Sequence, residues 1–363
     1  MKGNDHTGEL YTLIVPRLDR TGPTNLAVDL ANGAAARGLK VTILYLGGSP
    51  VRRDLHPRID VRRFRASDVL RTRGVVHAHG FRPDLVAGAM ALAGRCATMT
   101  TLHGHFPHHI AFDHGPARST LAWRAWRLAL GRMDMIVCLS QTMRRFYQQR
   151  LPADRLAVAY NFRDTQVSAE PLAPVVSKWL EGERRQDRTV LVYVGSLITR
   201  KNVVPLAEAV ARSANLSLIM CGDGPLRPML EAIAAEAGGH IHLAGHVSEP
   251  AQAIAAGDWL VLPSFAEGLS LAVLEAAQLG VPLLLSNIAV HREVVSLGLG
   301  QTFDHRRFTD LAARAMGSVP NVIAPLDERL RIWREHFSVE AGMARYLALI
   351  EQAAGTHWGT PCR

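Results

Sequence analysis

Two glutamates, Glu267 and Glu275, are the residues whose type and spacing most directly suggest chemistry. Residues 258–263 read as a short buried strand, Glu267 follows in a tight turn, and Glu275 falls roughly 7–8 Å along the next helix. Between the carboxylates a helix N-terminus offers backbone N–H groups and a positive dipole end, which suit a phosphate. Its residues are Gly268, Leu269, Ser270 and Leu271. The segment predicts a diphosphate site flanked by two acids.

A basic turn after another strand supplies cations for such a site. Residues 195–202 read Gly-Ser-Leu-Ile-Thr-Arg-Lys-Asn, between a predicted strand and a predicted helix. Gly195 lets the backbone approach a ligand closely. Arg200 and Lys201 would stabilise a diphosphate leaving group, because its negative charge grows as the bond to it breaks. A solvated basic loop is the alternative interpretation.

Histidines follow two strands of the first half. His103, in Thr-Leu-His-Gly-His105, could hydrogen-bond a sugar hydroxyl or steady a leaving oxygen. Other histidines lie close to it in the sequence and raise the alternative of a metal site, formed from His103, His105, His108, His109 and His114. No cysteine or carboxylate set with zinc spacing accompanies them, so no metal is expected. His77 and His79 are predicted to line a cleft or lie in the core.

Two glycine-containing turns complete the candidate set. Residues 21–24, Thr-Gly-Pro-Thr, follow the first strand, and Thr24 is predicted to cap a helix over 25–37. A single glycine followed by proline does not match a dinucleotide-binding fingerprint. Residues 222–225, Gly-Asp-Gly-Pro, follow the strand at 216–221, and Pro225 is predicted in the first turn of the next helix.

The segment 265–282 resembles the E-x7-E motif of glycosyltransferase family 4, the retaining group 1 glycosyl transferases. The resemblance implies that Glu267 contacts a donor sugar and that Glu275 binds the ribose of the nucleotide. The turn at 195–202 is similar to the family's Gly-Arg-Leu-x-x-x-Lys element, with Lys201 at the matching position. Ser196 stands where the family often has arginine, and Arg200 is expected to replace it.

The same resemblance gives roles to the other turns. His103 falls in a Thr-x-His-Gly element, whose histidine points at the donor sugar. Gly22 and Thr24 fall in a loop between the donor phosphates and the acceptor. Gly222 and Gly224 fall in a Gly-x-Gly-Pro turn that shapes the wall beside the base.

The fold that the resemblance implies is GT-B, an α/β fold of two Rossmann-like doubly wound domains facing an interdomain cleft. The implied reaction transfers a sugar from a nucleoside-diphosphate sugar, such as a UDP-sugar, to an acceptor hydroxyl with retained configuration. It needs no metal and no cofactor. The expected acceptor is an anionic glycan or lipid-linked intermediate of cell-surface polysaccharide or lipopolysaccharide biosynthesis. The alternatives are a nucleotide-sugar epimerase and a non-catalytic partner that binds a nucleotide or lipid.

The pattern of strands and helices predicts the same plan twice, since apolar strands alternate with helical segments in both halves. The expected domains are residues 1–165, which bind the acceptor, and 189–325, which bind the nucleotide sugar. Residues 166–188 are rich in Pro, Ser and charge and are predicted to be a linker. Residues 326–363 are predicted to be a helical tail that crosses back to the first domain.

Charge is distributed unevenly along the 363 residues, whose formal net charge is +9. Residues 1–165 hold 24 Lys and Arg against 12 Asp and Glu, whereas the remainder holds 17 basic and 20 acidic residues. A basic first half favours an anionic partner, namely nucleic acid, a phosphorylated glycolipid or an acidic bilayer. A general arginine bias is the alternative. No nucleic-acid-binding motif accompanies the charge, so no nucleic-acid partner is expected.

Two basic segments are predicted to meet a membrane. Residues 52–73 hold eight arginines, and residues 118–132 interleave Trp123 and Trp126 with leucines and arginines. A helix that buries its tryptophans is the equal alternative. The sequence has no run of about 18 apolar residues, no signal-peptide pattern and no Cys-x-x-Cys among its four cysteines. The expected location is the cytoplasm, peripheral at the inner face of the plasma membrane.

Overall fold

The chain forms two compact units in a computed structural model. Unit 1 comprises Met1–Phe162 and Val339–Arg363, and unit 2 comprises Arg163–Ser338. The structure describes residues 9–19, 21–48, 54–105, 116–165, 172–247, 250–317 and 323–355, with only the backbone for 116–119. Among these residues, no helix combines the length and apolar character that crossing a membrane requires.

Unit 1 is built on a parallel sheet of seven strands in the order β3-β2-β1-β4-β5-β6-β7. The strands are β1 Leu10–Val15, β2 Lys40–Tyr45, β3 Asp60–Arg63, β4 Val75–His79, β5 Ala97–Leu102, β6 Met135–Cys138 and β7 Leu156–Val158. The helices are α1 Gly22–Ala36, α2 Asp68–Arg71, α3 Phe81–Ala93, α4 Pro116–Leu130 and α5 Gln141–Tyr147, with α14 Val339–Ala354 from the end of the chain. Strands β4, β5 and β6 are buried along their whole length, and the buried residues include the histidines of β4 and the threonines of β5.

Unit 2 repeats the plan with six parallel strands in the order β10-β9-β8-β11-β12-β13. The strands are β8 Thr189–Val194, β9 Leu216–Cys221, β10 Ile241–Gly245, β11 Trp259–Leu262, β12 Leu283–Ser286 and β13 Gly300–Phe303. The helices are α6 Pro174–Arg185, α7 Val203–Ala211, α8 Arg227–Glu236, α9 Ala251–Ala256, α10 Leu271–Gln278, α11 Ala289–Val294, α12 Leu311–Ala315 and α13 Leu326–His336.

Each sheet has a point at which the order of its strands reverses. In unit 1 the reversal lies between β1 and β4, and in unit 2 between β8 and β11, which pair directly. Ligands of open parallel sheets bind at the carboxyl ends of the strands beside such a switch point. The turns after β8 and β11 therefore meet at one edge of the second sheet.

The strands that the sequence predicts are all present, with ends shifted by no more than about two residues, but several elements differ. Helix α1 begins at Gly22, so Thr24 lies inside it and does not cap it; its hydroxyl donates instead to the Arg17 carbonyl oxygen at 3.1 Å. Pro225 precedes its helix, and Pro228 occupies the first turn. Strands β3, β7 and β13 were not predicted, because β3 and β13 are short and largely polar in sequence and β7 has only three residues.

The predicted linker contains a packed helix, α6, which belongs to unit 2. Val176 and Leu180 are buried, and the buried carboxylate of Glu183 accepts hydrogen bonds from Arg188 at 2.8 Å and from Ser217 of β9 at 2.5 Å. The predicted tail is also divided: α13 belongs to unit 2 and α14 to unit 1. The change of unit falls at residues 162–163 and 338–339, and not at 165 and 326.

Two glycine turns of unit 2 pack backbone against backbone. A Cβ atom on Gly222 would lie 1.9 Å from the Gly195 carbonyl oxygen, and one on Gly224 would lie 2.5 Å from that of Leu197. Gly195 N–H donates to Cys221 and Leu197 N–H to Asp223, at 3.0 and 2.9 Å. The glycines after β9 are therefore required to hold the turn after β8 in place.

We expect Gly222→Ala to destabilise the protein by about 1–3 kcal/mol or more, because its methyl group meets backbone that cannot rotate away. Gly182→Ala is the matched control: nothing lies within 4 Å of its added carbon, and it sits within helix α6. The control should be neutral, or stabilising by up to about 1 kcal/mol. Chemical denaturation measures both, and equal stabilities would contradict the packing described.

Candidate functional site

A buried ion pair joins the turns after β8 and β11. The Nζ atom of Lys201 lies 2.5 Å from Oε1 of Glu267, and Ser264 Oγ donates to the same oxygen at 2.6 Å. Only 12% of the Lys201 side chain and 8% of the Glu267 side chain are exposed. The switch point thus brings together the lysine and the first glutamate that the sequence singled out, from positions 66 residues apart.

The environment of Glu267 keeps its carboxylate ionised. Burial by itself raises the pKa of this group, but the nearby charges of Lys201 and Arg200 and the hydrogen bonds from Lys201 and Ser264 lower it to about 2. A carboxylate so held is a weak base and a weak nucleophile. Its chemical effect is to fix a negative charge between two cations.

Arg200 ties the two turns together. Its Nη1 atom donates to the Ala266 carbonyl oxygen at 2.7 Å and lies 3.7 Å from Oε2 of Glu267. Its own carbonyl oxygen accepts from the Phe265 N–H at 3.0 Å. The guanidinium is therefore engaged with the turn that carries Glu267, whereas Ser196 is exposed at the tip of its own turn.

Asn202 sets the direction of the lysine turn. Thr199–Lys201 form a short 3-10 helix, and Asn202 follows with φ of 55° before α7 begins at Val203. This left-handed conformation is one that asparagine tolerates well. Its buried amide donates to the His305 carbonyl oxygen at 2.7 Å and to that of Pro263 at 3.3 Å. Asn202 therefore anchors the lysine turn to the end of β11.

The helix after Glu267 begins as predicted, at Leu271. Ser270 is a residue type that favours the N-cap, and it takes that position with extended backbone, but its side chain makes no capping hydrogen bond. The backbone N–H groups of this turn are therefore not taken up by the Ser270 hydroxyl. Gly268 and Ser270 lie in the turn with Leu269, whose side chain is buried.

Glu275 lies in α10 with a cation of its own. Arg163 Nε is 3.0 Å from Oε1 of Glu275, and burial raises the pKa of this carboxyl while the charge of Arg163 opposes the rise. The next turn of the helix also contacts this segment. The side chain of Gln278 accepts a hydrogen bond from the Thr165 N–H at 2.6 Å and donates one to the Thr165 carbonyl oxygen at 3.2 Å. Residues 163–165 are thus docked along α10, and Glu275 does not share the cations of Glu267.

Three supporting residues escaped the sequence analysis. Ser264 donates to Glu267, and Ser286, at the end of β12, donates to the Ser264 carbonyl oxygen at 2.7 Å. His291 Nδ1 lies 2.9 Å from Ser286 Oγ and 3.1 Å from its carbonyl oxygen. Because a carbonyl can only accept, Nδ1 carries the proton, and the buried Nε2 atom is an acceptor without a hydrogen-bond partner among the described residues. For Ser264 and Ser286, the only sequence signal of a role in the site was a position at or after the end of a strand.

The histidines of unit 1 form a buried cluster on β4 and β5. His79 Nδ1 lies 3.1 Å from Nε2 of the half-buried His103. His77 contacts the Tyr11 hydroxyl at 2.6 Å and Thr101 Oγ1 at 2.8 Å. His77 and His79 are fully buried and therefore belong to the core.

The positions of the remaining predicted site residues say little about their function. Among the residues that the structure describes, no three His, Cys, Asp or Glu side chains are arranged to hold a metal ion. His108, His109 and His114 lie outside those residues. Thr24 is fully buried and its hydroxyl is used within unit 1, while a Cβ atom on Gly22 would meet nothing within 4 Å. The geometry therefore gives no special requirement for glycine at position 22.

Comparison with known proteins identifies the family. Residues 188–316 match the family described as "Glycosyl transferases group 1", and residues 20–167 match "Glycosyltransferase Family 4". The chain belongs to the group 1 glycosyl transferases. The two matched regions of this glycosyl transferase include the turns that carry Lys201 and Glu267 and the histidine cluster of unit 1.

Among curated relatives, the chain is 24% identical over 237 residues to the O-antigen biosynthesis glycosyltransferase WclY of Escherichia coli, covering 63% of this chain and 66% of WclY. It is 26% identical over 230 residues to the UDP-Gal:alpha-D-GlcNAc-diphosphoundecaprenol alpha-1,3-galactosyltransferase of Escherichia coli, covering 59% and 58%. These alignments span somewhat less than two thirds of each relative. Residues shared with such proteins identify the family and not the individual substrates.

Among solved structures, Anabaena Alr3699/HepE in complex with UDP matches with a TM-score of 0.74 and 15% identity, covering 95% of this chain and all of that one. At this identity the likeness concerns the fold. The fold is GT-B, with two Rossmann-like α/β domains, as the sequence predicted.

We expect Lys201→Met to destabilise the protein by about 3 kcal/mol, because it leaves the buried Glu267 carboxylate with only the more distant Arg200 as a cation. Adding Glu267→Gln should restore part of that loss. Arg227→Met is the matched control, since it breaks the exposed Arg227–Glu231 pair within α8 and should cost no more than about 0.5 kcal/mol. Denaturation of the single and double variants measures the coupling, and strictly additive losses would contradict a buried pair.

The buried histidines should remain neutral through the physiological range. Burial lowers the pKa of His77 and His103 to about 3 and that of His291 to about 4. The unfolded chain takes up these protons near pH 6.5, so their effect on stability is absent above that pH and destabilising as pH falls toward 3–4. NMR titration should show these imidazoles unchanged from pH 8 to 5. A transition near pH 6.5 for any of the three would contradict their burial.

Proposed function

We propose that this protein transfers a sugar from a nucleoside-diphosphate sugar to a hydroxyl group of a glycan or lipid-linked acceptor, in the biosynthesis of a cell-surface polysaccharide or lipopolysaccharide. One observation carries the proposal: Lys201, Arg200 and Glu267 form a buried charged cluster at the switch point of the second sheet. Such a cluster suits a diphosphate, whose charge the two cations can neutralise. Membership of a glycosyl transferase family makes that diphosphate part of a sugar donor.

The proposed donor is a UDP-sugar. Two of the similar proteins support this choice: the HepE structure contains UDP, and the Escherichia coli galactosyltransferase is named for UDP-Gal. In this proposal Lys201 and Arg200 hold the diphosphate together with the backbone N–H groups at the start of α10. Glu267 lies beside the sugar, and Glu275, oriented by Arg163, accepts hydrogen bonds from the ribose hydroxyls.

The state of Glu267 favours a retaining reaction without a covalent sugar intermediate on that residue. Its two carboxylate oxygens are occupied by Lys201, Ser264 and Arg200, and its pKa of about 2 makes it a poor nucleophile and a poor base. We therefore infer a front-face route, in which the departing phosphate oxygen takes the proton of the acceptor hydroxyl. Lys201 and Arg200 supply the positive charge that a metal ion gives elsewhere, so the reaction is proposed to need no metal and no cofactor.

His103 is the proposed sugar contact within unit 1. One of its nitrogens is bonded to His79, which fixes the orientation of the ring, and its low pKa leaves it neutral. A neutral imidazole can share a hydrogen bond with a sugar hydroxyl without adding charge. The acceptor is proposed to be lipid-linked and anionic, reached by peripheral contact of the basic unit 1 with the inner face of the membrane.

Replacing Lys201 or Glu275 by Ala should lower transfer at least 100-fold, because each removes a contact to the donor. Lys178→Ala and Glu236→Ala are matched controls on exposed positions of the same unit and should retain activity. The readout is sugar transferred to an acceptor, after a thermal-shift panel of UDP-, GDP-, ADP- and TDP-sugars has identified the donor. Each variant is checked for folding by its thermal transition.

Several results would overturn the proposal. Near-normal turnover in both Lys201→Ala and Glu275→Ala would remove the site assignment. Release of free UDP with an altered sugar in the absence of any acceptor would indicate an epimerase. Nucleotide binding without turnover for any donor and acceptor pair would indicate a non-catalytic binding protein. Inversion at the anomeric carbon, or loss of turnover with a chelator, would contradict the proposed route.

A further inference from the structure

Unit 1 exposes leucines on three of its helices. The side chains are Leu70 on α2, Leu85 and Leu92 on α3, and Leu121 and Leu128 on α4, with exposures of 58, 36, 70, 73 and 62%. Leu85 and Leu92 are seven positions apart, as are Leu121 and Leu128, so each pair lies on one side of its helix. Isolated exposed leucines are common on proteins, whereas here two aligned pairs stand on adjoining helices.

The three helices are neighbours. A Cβ atom on Gly88 of α3 would lie 2.7 Å from that of Ala129 on α4, so these helices touch through their backbones. Leu85 and Leu92 stand one turn before and after Gly88, and Leu128 adjoins Ala129. At the other end, Arg95 beyond α3 donates to the Leu70 carbonyl oxygen at 3.4 Å. We name the surface formed by these five leucines and the exposed arginines around them the leucine–arginine face.

The charge of this face is mainly positive; the exposed Asp134, two residues after Arg132, accepts hydrogen bonds from the N–H and the hydroxyl of Thr98. Its exposed arginines are Arg71, Arg82, Arg95, Arg124, Arg127 and Arg132. Helices α2, α3 and α4 contain two acidic residues, Asp68 and Asp84, and both are buried. Asp68 pairs with Arg62 at 3.0 Å, and Asp84 accepts from Trp126 and Thr100 at 2.6 Å. No carboxylate on these helices is therefore exposed to offset the arginines.

The bond to Asp84 also divides helix α4 into two sides. Trp126 and Leu130 are buried in unit 1, whereas Leu121, Leu128 and the arginines between them are exposed. The tryptophan that the sequence offered as an interfacial anchor is thus part of the core. The outer side of α4 keeps both of the properties that interfacial contact uses, apolar side chains and positive charge.

We propose that the leucine–arginine face docks unit 1 on an anionic lipid bilayer, with the leucines entering the headgroup boundary and the arginines contacting lipid phosphates. Exposed leucines distinguish this partner from a nucleic acid, which offers arginine a phosphate but offers leucine no apolar phase. The inference names the surface for the membrane contact in the proposed function. Vesicle binding requires neither donor nor acceptor, so the docking proposal and the proposed glycosyl transfer can fail separately.

The test is co-sedimentation of the full chain with vesicles of phosphatidylcholine, with and without about 30% phosphatidylglycerol. The wild type should bind the anionic vesicles at least tenfold more tightly. Leu92→Ser with Leu128→Ser should weaken that binding at least tenfold, and Arg124→Gln with Arg127→Gln should weaken it and reduce its dependence on salt. Thermal transitions confirm that each variant is folded.

Matched controls lie outside the face. Arg144→Gln with Arg145→Gln makes the same charge change on α5, and Met229→Ser removes a 54%-exposed apolar side chain from unit 2. Both should bind vesicles as the wild type does. Absence of vesicle binding by the wild type, equal losses in the controls, or wild-type binding by the leucine variant would overturn the proposal. Binding of a single-stranded RNA instead of vesicles, weakened by the arginine changes alone, would identify a polyanion surface and would also overturn it.

Discussion

The buried pair between Lys201 and Glu267 is the interaction on which the site in unit 2 depends. A carboxylate and an ammonium group removed from water are tolerated only when each satisfies the other and further hydrogen bonds complete the shell. Here Ser264 donates a hydrogen bond to the carboxylate of Glu267, and Arg200 adds a second positive charge beside it. The same contacts join the turns after β8 and β11, so the electrostatics of the site and the geometry of the switch point are inseparable.

The two units have the same sheet plan but different chemistry at their strand ends. Unit 2 concentrates fixed charges there, which suits a diphosphate. Unit 1 places neutral, buried histidines at the ends of β4 and β5, with only His103 partly exposed, and keeps its positive charge on outer helices. This division fits a protein in which one unit holds a charged donor and the other reads hydroxyl groups and meets an anionic surface.

Much of this could be predicted from the sequence, because strand ends, glycine turns and the positions of Lys201 and Glu267 are local features. The hydrogen-bond and ion-pair partners that come from distant positions in the chain could not be predicted. Arg163 reaches Glu275 from the start of unit 2, and Ser286 and His291 support Ser264 from the next strand. Thr24 and the division of the tail at residue 338 were misjudged because packing overrode local signals. The Thr24 hydroxyl bonds the Arg17 carbonyl oxygen, which precedes α1, and α14 packs in unit 1.

The ionisation of Glu267 tests the account most directly. The carboxyl carbon of this residue can be followed by NMR in protein labelled at glutamate, and assigned by its loss in Glu267→Gln. The account predicts that its chemical shift stays constant from about pH 7 down to about pH 4, as a pKa of about 2 requires. A titration midpoint at or above 4.5 would show that the cations do not hold this carboxylate, and would contradict the site described.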